Sequence, residues 1–285
     1  MNCNKYDFDV VVCIKDSLNV FKICLDNILC NTIGKFKLIL VNDNSDYDTY
    51  EYLSIISSCH KNISLITNNI TLGYTKSLNI GLKHVESEYV FILNSDIIVT
   101  KNWNLRMLNP LINNYKIAIS GPLSNAASWQ SIPKIFDKLG NYKINELPPS
   151  YSIDSFDSYI HKAYSGSFTE VYFVNGFCMC LRSKLFKEIG LFDEINFPIG
   201  YGEETDFCLR TNQFGYMIVV VLDTYIFHFK SSSFGHEYRK KLTLSGKLSL
   251  YKKYGISYID NLYYKMKYHD KLNIVRNQIN KLYCE

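Results

Sequence analysis

The sequence lacks the marks of several large protein classes. No apolar stretch is long enough to span a bilayer. The apolar run within MNCNKYDFDVVVCIKD is too short for a signal peptide and has charge on both sides, so it reads as a buried first strand of a cytoplasmic protein. No CxxC pair occurs among the nine cysteines, an odd count scattered from Cys3 to Cys284, which argues against a zinc ribbon or a disulfide framework. Cys178 and Cys180 fall in an apolar run, on one strand face, and read as small buried hydrophobes. Free thiols in this number fit a reducing compartment. The net charge of +4 is too small to argue for nucleic acid. There is no GxxxxGK[ST], no strand–GxGxxG–helix and no GxSxG elbow, so a P-loop kinase, a nicotinamide dehydrogenase and an α/β-hydrolase lack their main support.

What is present is an alternation of strands and helices. The 285 residues are 47% hydrophobic, enough for one large α/β domain. Strands are predicted over 8–14, 37–41, 63–67 and 89–93, with helices over 20–30, 49–58 and 75–84 between them. Such alternation implies a mostly parallel sheet with helices on both faces. From 120 to about 169 small and polar residues dominate, and the segment reads as a long loop or insertion over the site. Two more strands are predicted over 217–222 and 225–229. From 230 onward the chain is basic and tyrosine-rich with helical spacing.

Carboxylates collect where strands end. Asp16, Asp43 and Asp96 each follow a strand, and in a parallel sheet these positions converge on the crevice beyond the carboxyl ends. Glu203, Glu204 and Asp206 open a helix after the glycine-punctuated FPIGYG. Acidic residues there suit the helix dipole, which is a sufficient structural reason for them. A second acidic cluster upstream, Asn94-Ser95-Asp96, adds the alternative of metal-assisted transfer chemistry.

The ordered set VVVCIKD, ILVNDNSD, LGYTKSLNIGL, YVFILNSDIIVT, GPLSNAASWQ, VNGFCMCLRSKLFKEIGLFDE and GYGEETDFCLR resembles the inverting glycosyltransferases of family 2, which have the GT-A fold. The likeness runs from about Phe8 to Gly235 and is nearest the rhamnosyltransferase-type branch. It implies a Rossmann-like central sheet in a catalytic domain over 1–235. Residues 8–100 would form the nucleotide-binding half and 101–235 the acceptor and catalytic half, with a helical extension over 236–285. It implies donor contacts by Lys15, Asp16, Asp43, Lys76, Asn94 and Asp96, with Asp43 accepting from the base of a uracil or thymine nucleotide. Asn94-Ser95-Asp96 stands in the place of the family's DxD motif. Asp96, with His228 nearby, would hold Mg²⁺ or Mn²⁺ against the donor diphosphate. Lys230 and Ser231–Ser233 would reach phosphate oxygens. Glu204 corresponds to the catalytic base, a glutamate where aspartate is usual, which leaves Glu203 and Asp206 as rivals. Asp206 lies one turn before Arg210 and suits an i,i+4 pair. Trp129, Asn175 and Gly176 would line the acceptor side.

The resemblance thus implies transfer of a sugar from a UDP- or dTDP-sugar to a glycan or lipid-linked glycan in surface polysaccharide synthesis. Two alternatives are a catalytically inactive sugar-binding relative and a sugar-phosphate nucleotidyltransferase, whose glycine-rich loop VVVCIKDSLN does not supply. The basic tail is expected to pack on the catalytic domain or on a second copy of the chain, or to touch the inner face of an anionic membrane.

Overall fold

Aliphatic runs that alternate with amphipathic segments build the computed structural model, which describes residues 7–230 and 236–283. Cys3, Cys284 and Ser231–Ser233 lie outside the described residues. The elements follow as β1 (Phe8–Ile14), α1 (Leu18–Asn31), β2 (Phe36–Asn42), α2 (Tyr47–Cys59), β3 (Ile63–Thr67), α3 (Tyr74–Leu82), β4 (Tyr89–Asn94) and β5 (Ile97–Ile98). Then come α4 (Trp103–Asn113), β6 (Ile117–Leu123), α5 (Ile153–Tyr164), β7 (Phe168–Val171), β8 (Cys178–Arg182), α6 (Leu185–Glu188), α7 (Glu203–Gln213), β9 (Met217–Tyr225) and β10 (Phe227–His228). Helices α8 (His236–Tyr254), α9 (Ile256–Lys267) and α10 (Asp270–Lys281) complete the described chain.

Eight strands form one sheet in the order β3-β2-β1-β4-β8-β6-β9-β7. Strands β3, β2, β1, β4, β6 and β9 run one way, while β8 and β7 run against them. A small antiparallel pair, β10 with β5, sets His228 opposite Ile97 beside the end of β4. Both faces of the sheet are buried, so β1 is apolar at nearly every position. Val10, Val12 and Ile14 face α1 and α4 with Phe21, Leu25, Trp103 and Met107. Val11 faces the other way, with Leu78 of α3 and Phe207 of α7.

That second face is closed by the C-terminal helices. Leu250, Ile259, Leu262, Met266, Val275 and Ile279 belong to the same apolar cluster as Val11 and Phe207. Burying side chains of this kind is worth roughly 1.5–3 kcal/mol each. Arg276 of α10 donates to the carbonyls of Ser131 and Trp129 and so ties the segment after β6 to the tail.

The 120–169 segment is more regular than its composition suggests. Ser152 and Ser155 form a capping box at the start of α5, whose Phe156 and Ile160 are buried one turn apart. Strand β7 then pairs with β9 at the sheet edge. Within α5 the exposed Asp154, Ser155 and Ser158 form the outer face, while Ser124, Asn125, Gln130 and Ser131 before it are buried. The strand predicted over 225–229 divides differently: Tyr225 completes β9, and only Phe227–His228 remain as β10.

Candidate active site

The topology delivers the carboxylate loops to one edge. Strands β1, β2, β4 and β6 are parallel, so the segments that follow them emerge together. Strand β8 runs the other way and begins at that edge, which brings Asn175 and Gly176 to the same place. The loops after β1 and β2 are laced to one another. Asp16 accepts from the backbone N–H of Asp46 at 2.8 Å, and its own N–H donates to Ser45 Oγ at 2.9 Å. Lys15 Nζ donates to the carbonyl of Asn44 at 2.5 Å. Lys76 lies half-buried in the first turn of α3.

Asp43 is 4% exposed, and its carboxylate accepts from Leu72 N–H at 2.8 Å, Gly73 N–H at 2.9 Å and Asn68 Nδ2 at 3.0 Å. A carboxylate offers about four acceptor positions, so roughly one is left for a ligand. Asp43 therefore pins the 68–73 loop as well as bordering the crevice at the strand ends. The sequence did not disclose that second duty.

Asp96 and His228 come together at the end of β4. His228 is 2% exposed, stacks on Phe177 at 5.2 Å, and sets Nδ1 3.0 Å from the carbonyl of Ala126. That partner makes Nδ1 the protonated nitrogen. Nε2 then turns its lone pair toward Asp96 Oδ1 at 3.1 Å, with Asn94 Nδ2 3.5 Å away. Burial pushes the imidazole pKa down, although Asp96 pulls it up, so the ring is held neutral. Two lone-pair atoms facing at such a distance suit a shared cation, which an N/O donor pair of this kind can hold. No cluster of three or more His, Cys, Asp or Glu residues suited to a metal occurs among the described residues. A cation here would therefore draw its remaining ligands from substrate oxygens and water.

The three acidic residues of α7 have different surroundings. Asp206 is 0% exposed and fully engaged: Oδ2 accepts from Arg210 Nε at 2.8 Å, while Oδ1 accepts from Tyr254 Oη at 2.7 Å and Lys253 Nζ at 2.5 Å. That argues against its candidacy as a base, because a carboxylate with no exposed surface and two cationic partners is closed to an acceptor hydroxyl. Glu203 is 4% exposed, and its Oε2 finds no hydrogen-bond partner among the described residues. Glu204 is half-buried and accepts from Gly202 N–H at 3.1 Å. Burial raises both carboxyl pKa values, and the neighbouring Glu204 charge adds to the rise at Glu203. The Gly176 backbone lies directly against the pair, since a Cβ there would stand 3.3 Å from Glu204 Cβ.

Sequence reasoning overlooked the aromatic surroundings. Tyr74 opens α3, and its phenol is raised first by burial and then by the charges of Cys13, Glu203, Glu204 and Asp96. Lys230 acts on both sides as well, lowering the pKa of Glu204 and of His228. Tyr142 and Tyr263 are raised by burial and by the Glu204 charge. Trp129, expected to offer its face to an acceptor, is 8% exposed and packs against Phe136 at 5.8 Å, Tyr142 at 5.8 Å and Tyr263 at 5.6 Å. Its ring has a core role as the backing of the two tyrosines. The Asn175 backbone N–H donates to Gln130 Oε1 at 2.5 Å, and Asn175 Oδ1 accepts from Phe177 N–H at 3.1 Å. The signal for Tyr74 was its place beside Lys76 in GYTKS. Tyr142 and Tyr263 carried none, being brought in from distant segments.

A parallel sheet carrying a carboxylate–imidazole pair and an acidic helix start is the framework of the GT-A glycosyltransferases. Solved structures agree on the fold. One described as GalNAc-T7 with UDP, GalNAc and Mn²⁺ matches with a TM-score of 0.60 at 15% identity, over 95% of this chain and 54% of that one. The mannosyltransferase PcManGT from Pyrobaculum calidifontis, in complex with GDP-Man and Mn²⁺, matches with a TM-score of 0.65 at 13% identity, over 98% of this chain and 74% of that one. In sequence, residues 9–190 match the model of glycosyl transferase family 2, and the chain belongs to that family. An uncharacterized glycosyltransferase of Haemophilus influenzae is 30% identical over 112 residues, 39% of this chain and 35% of its own length. The uncharacterized protein y4gI of Sinorhizobium fredii is 21% identical over 241 residues, 80% of this chain and 25% of its own. The chain thus spans about a third or less of the length of these curated relatives. Among the described residues no helix is long and apolar enough to cross a membrane.

Proposed function

We propose that the chain is an inverting glycosyltransferase that moves a sugar from a UDP- or dTDP-sugar to a hydroxyl of a glycan or glycoconjugate in surface polysaccharide synthesis. One observation carries the reading: Phe177 accepts from the Asn94 N–H at 2.8 Å and stacks on His228, the partner of Asp96, while its neighbour Gly176 lies against Glu204. In this reading a donor site at Asp96 and a proton-accepting site at Glu204 share one crevice. Asp96 and His228 would hold a divalent cation, whose charge offsets that of the departing diphosphate when bound. Lys230 adds a positive charge that acts on both Glu204 and His228.

Glu204 is the base in this scheme. Its carboxylate takes the proton of the acceptor hydroxyl as that oxygen attacks the anomeric carbon, and a single displacement inverts the configuration. A raised carboxyl pKa makes it a stronger base near neutrality. Gly176 lets the backbone before β8 approach Glu204 closely, and the acceptor hydroxyl would come from the open side of the carboxylate. The wall of Tyr142 and Tyr263, backed by Trp129, offers aromatic faces for the C–H side of a sugar.

The solved neighbours were captured with UDP and with GDP-Man, both with Mn²⁺. A thermal-shift panel of UDP-, dTDP- and GDP-sugars, with and without Mn²⁺, tests the donor reading. A ligand at about 100 times its Kd stabilises the native state by roughly 2.7 kcal/mol. A uracil or thymine donor should shift the melting point most, and more with Mn²⁺. A response to GDP-sugars alone contradicts the role given to Asp43. Binding without release of nucleotide from any donor favours the inactive relative. The basic tail exposes Leu244 at 59% and Leu248 at 56%, close to Lys241 and Lys252, which suits contact with an anionic bilayer bearing lipid-linked acceptors. Sedimentation with anionic liposomes checks this, and absence of binding rejects it.

A further inference from the structure

Helix α8 grips the start of α7 on both sides of the two glutamates. The loop before them has three successive positive φ angles, 99° at Gly200, 68° at Tyr201 and 131° at Gly202. A left-handed tyrosine persists only where its surroundings over-determine it. Gly246, in the middle of α8, provides that constraint. A Cβ built on it would lie 1.5 Å from the Tyr201 carbonyl oxygen and 2.7 Å from the carbonyl carbon. The helix backbone therefore rests directly on the Tyr201 peptide. Gly202 answers from the other side, where an added Cβ would stand 3.5 Å from the Gly246 carbonyl oxygen and 2.8 Å from the Phe197 ring. Glycine weakens a helix interior, so its use in the 19-residue α8 is explained by this close approach.

Two turns further along, α8 takes hold again. Lys253 Nζ and Tyr254 Oη meet Asp206 Oδ1 at 2.5 and 2.7 Å, and Lys253 also reaches Asp193 Oδ2 at 3.0 Å. The two grips bracket the pair in sequence, Tyr201–Gly202 before it and Asp206 after it. Neither contact touches the expected donor residues.

We propose that α8 is the positioning element of the candidate base: Gly246 holds the Tyr201–Gly202 loop, Lys253 and Tyr254 hold Asp206, and together they set where Glu203 and Glu204 stand. This rests on the reading of Glu204 as base, and the two are separable by experiment. Gly246→Ala is made in the full chain and compared with wild type by amide hydrogen exchange. Nucleotide release from UDP-glucose and UDP-N-acetylglucosamine with Mn²⁺ is followed across pH in parallel. Exchange over 200–206 should quicken about tenfold while β1 and β4 stay unchanged. The acid limb of the rate profile should move to lower pH, because water admitted to the carboxyl pair removes the burial that raises it. Mere loss of global stability would move neither selectively. Wild-type exchange over 200–206 overturns the proposal. Should Gly246→Ala fail to fold, Tyr254→Phe loosens the second grip without changing volume. It should quicken exchange at 203–206, and unchanged exchange there overturns the proposal equally. Wild-type turnover by Glu204→Gln refutes the base and leaves the exchange result to decide the role of α8.

Discussion

Replacing Asp206 with alanine removes a carboxylate that joins α7 to α8. The residue is 0% exposed and receives Arg210 at 2.8 Å, Tyr254 at 2.7 Å and Lys253 at 2.5 Å. Breaking a buried pair from one side costs about 3–5 kcal/mol, because the partner charges lose their counter-ion. Two features reduce that here. Arg210 keeps the carbonyls of Ile189 at 2.6 Å and Leu191 at 2.9 Å, and Lys253, with its side chain 32% exposed, keeps Asp193. Water and Asp193 hold the Lys253 share to under about 1 kcal/mol. Asp206→Ala should therefore lose about 3 kcal/mol, and Tyr254→Phe, which deletes a single hydrogen bond, about 1 kcal/mol. The assay is urea unfolding at neutral pH, read as a shift of midpoint at constant slope. A double cycle with Lys253→Met should show a coupling of about 0.5–1 kcal/mol. A loss below about 1 kcal/mol for Asp206→Ala would refute the argument, since it would mean that water replaces the carboxylate at little cost.

Two further outcomes follow from the same site. Burial raises the Glu203 and Glu204 carboxyls, so the native chain binds protons more tightly than the unfolded one. Stability should then fall as pH rises from the ordinary glutamate value of 4.5 through the raised one. Glu203→Gln should accordingly gain stability over wild type at pH 8 and none at pH 4, measured by thermal unfolding; a gain independent of pH contradicts the raised pKa. At the other pair, Asp96→Asn and His228→Gln should each remove most of the Mn²⁺-dependent part of the donor thermal shift. An undiminished Mn²⁺ effect in both variants would place the cation elsewhere.

Much of this was legible in the sequence because the physics is local. Phe8–Ile14 and Ile63–Thr67 are short aliphatic runs bounded by polar turns, and both faces of the sheet demand apolar side chains. Asp16, Asp43, Asn94 and Asp96 could be placed at one edge because parallel strands point the same way. The i,i+4 spacing of Asp206 and Arg210 foretold their pairing, which the structure realises at 2.8 Å. What escaped was whatever depends on distant contacts. Helix α5 hides two buried residues, Phe156 and Ile160, among serines, aspartates and tyrosines. Trp129 in a polar loop gives no hint that Tyr263, on a helix more than a hundred residues later, will cover it. Gly246 reads as a flaw in a helix until the Tyr201 carbonyl is seen against it. The tail read as an appendage because its apolar residues are sparse, yet Ile259, Leu262 and Met266 recur at helical spacing and fall on one buried face.

Glu204→Gln tests the central claim most directly. With the donor selected by the thermal-shift panel and Mn²⁺ present, nucleotide release should fall by about 10²–10⁴-fold, the usual worth of a positioned base. The donor-induced thermal shift should stay at its wild-type value, because Asp43, Asp96 and His228 are untouched. Turnover retained at the wild-type rate would contradict the account.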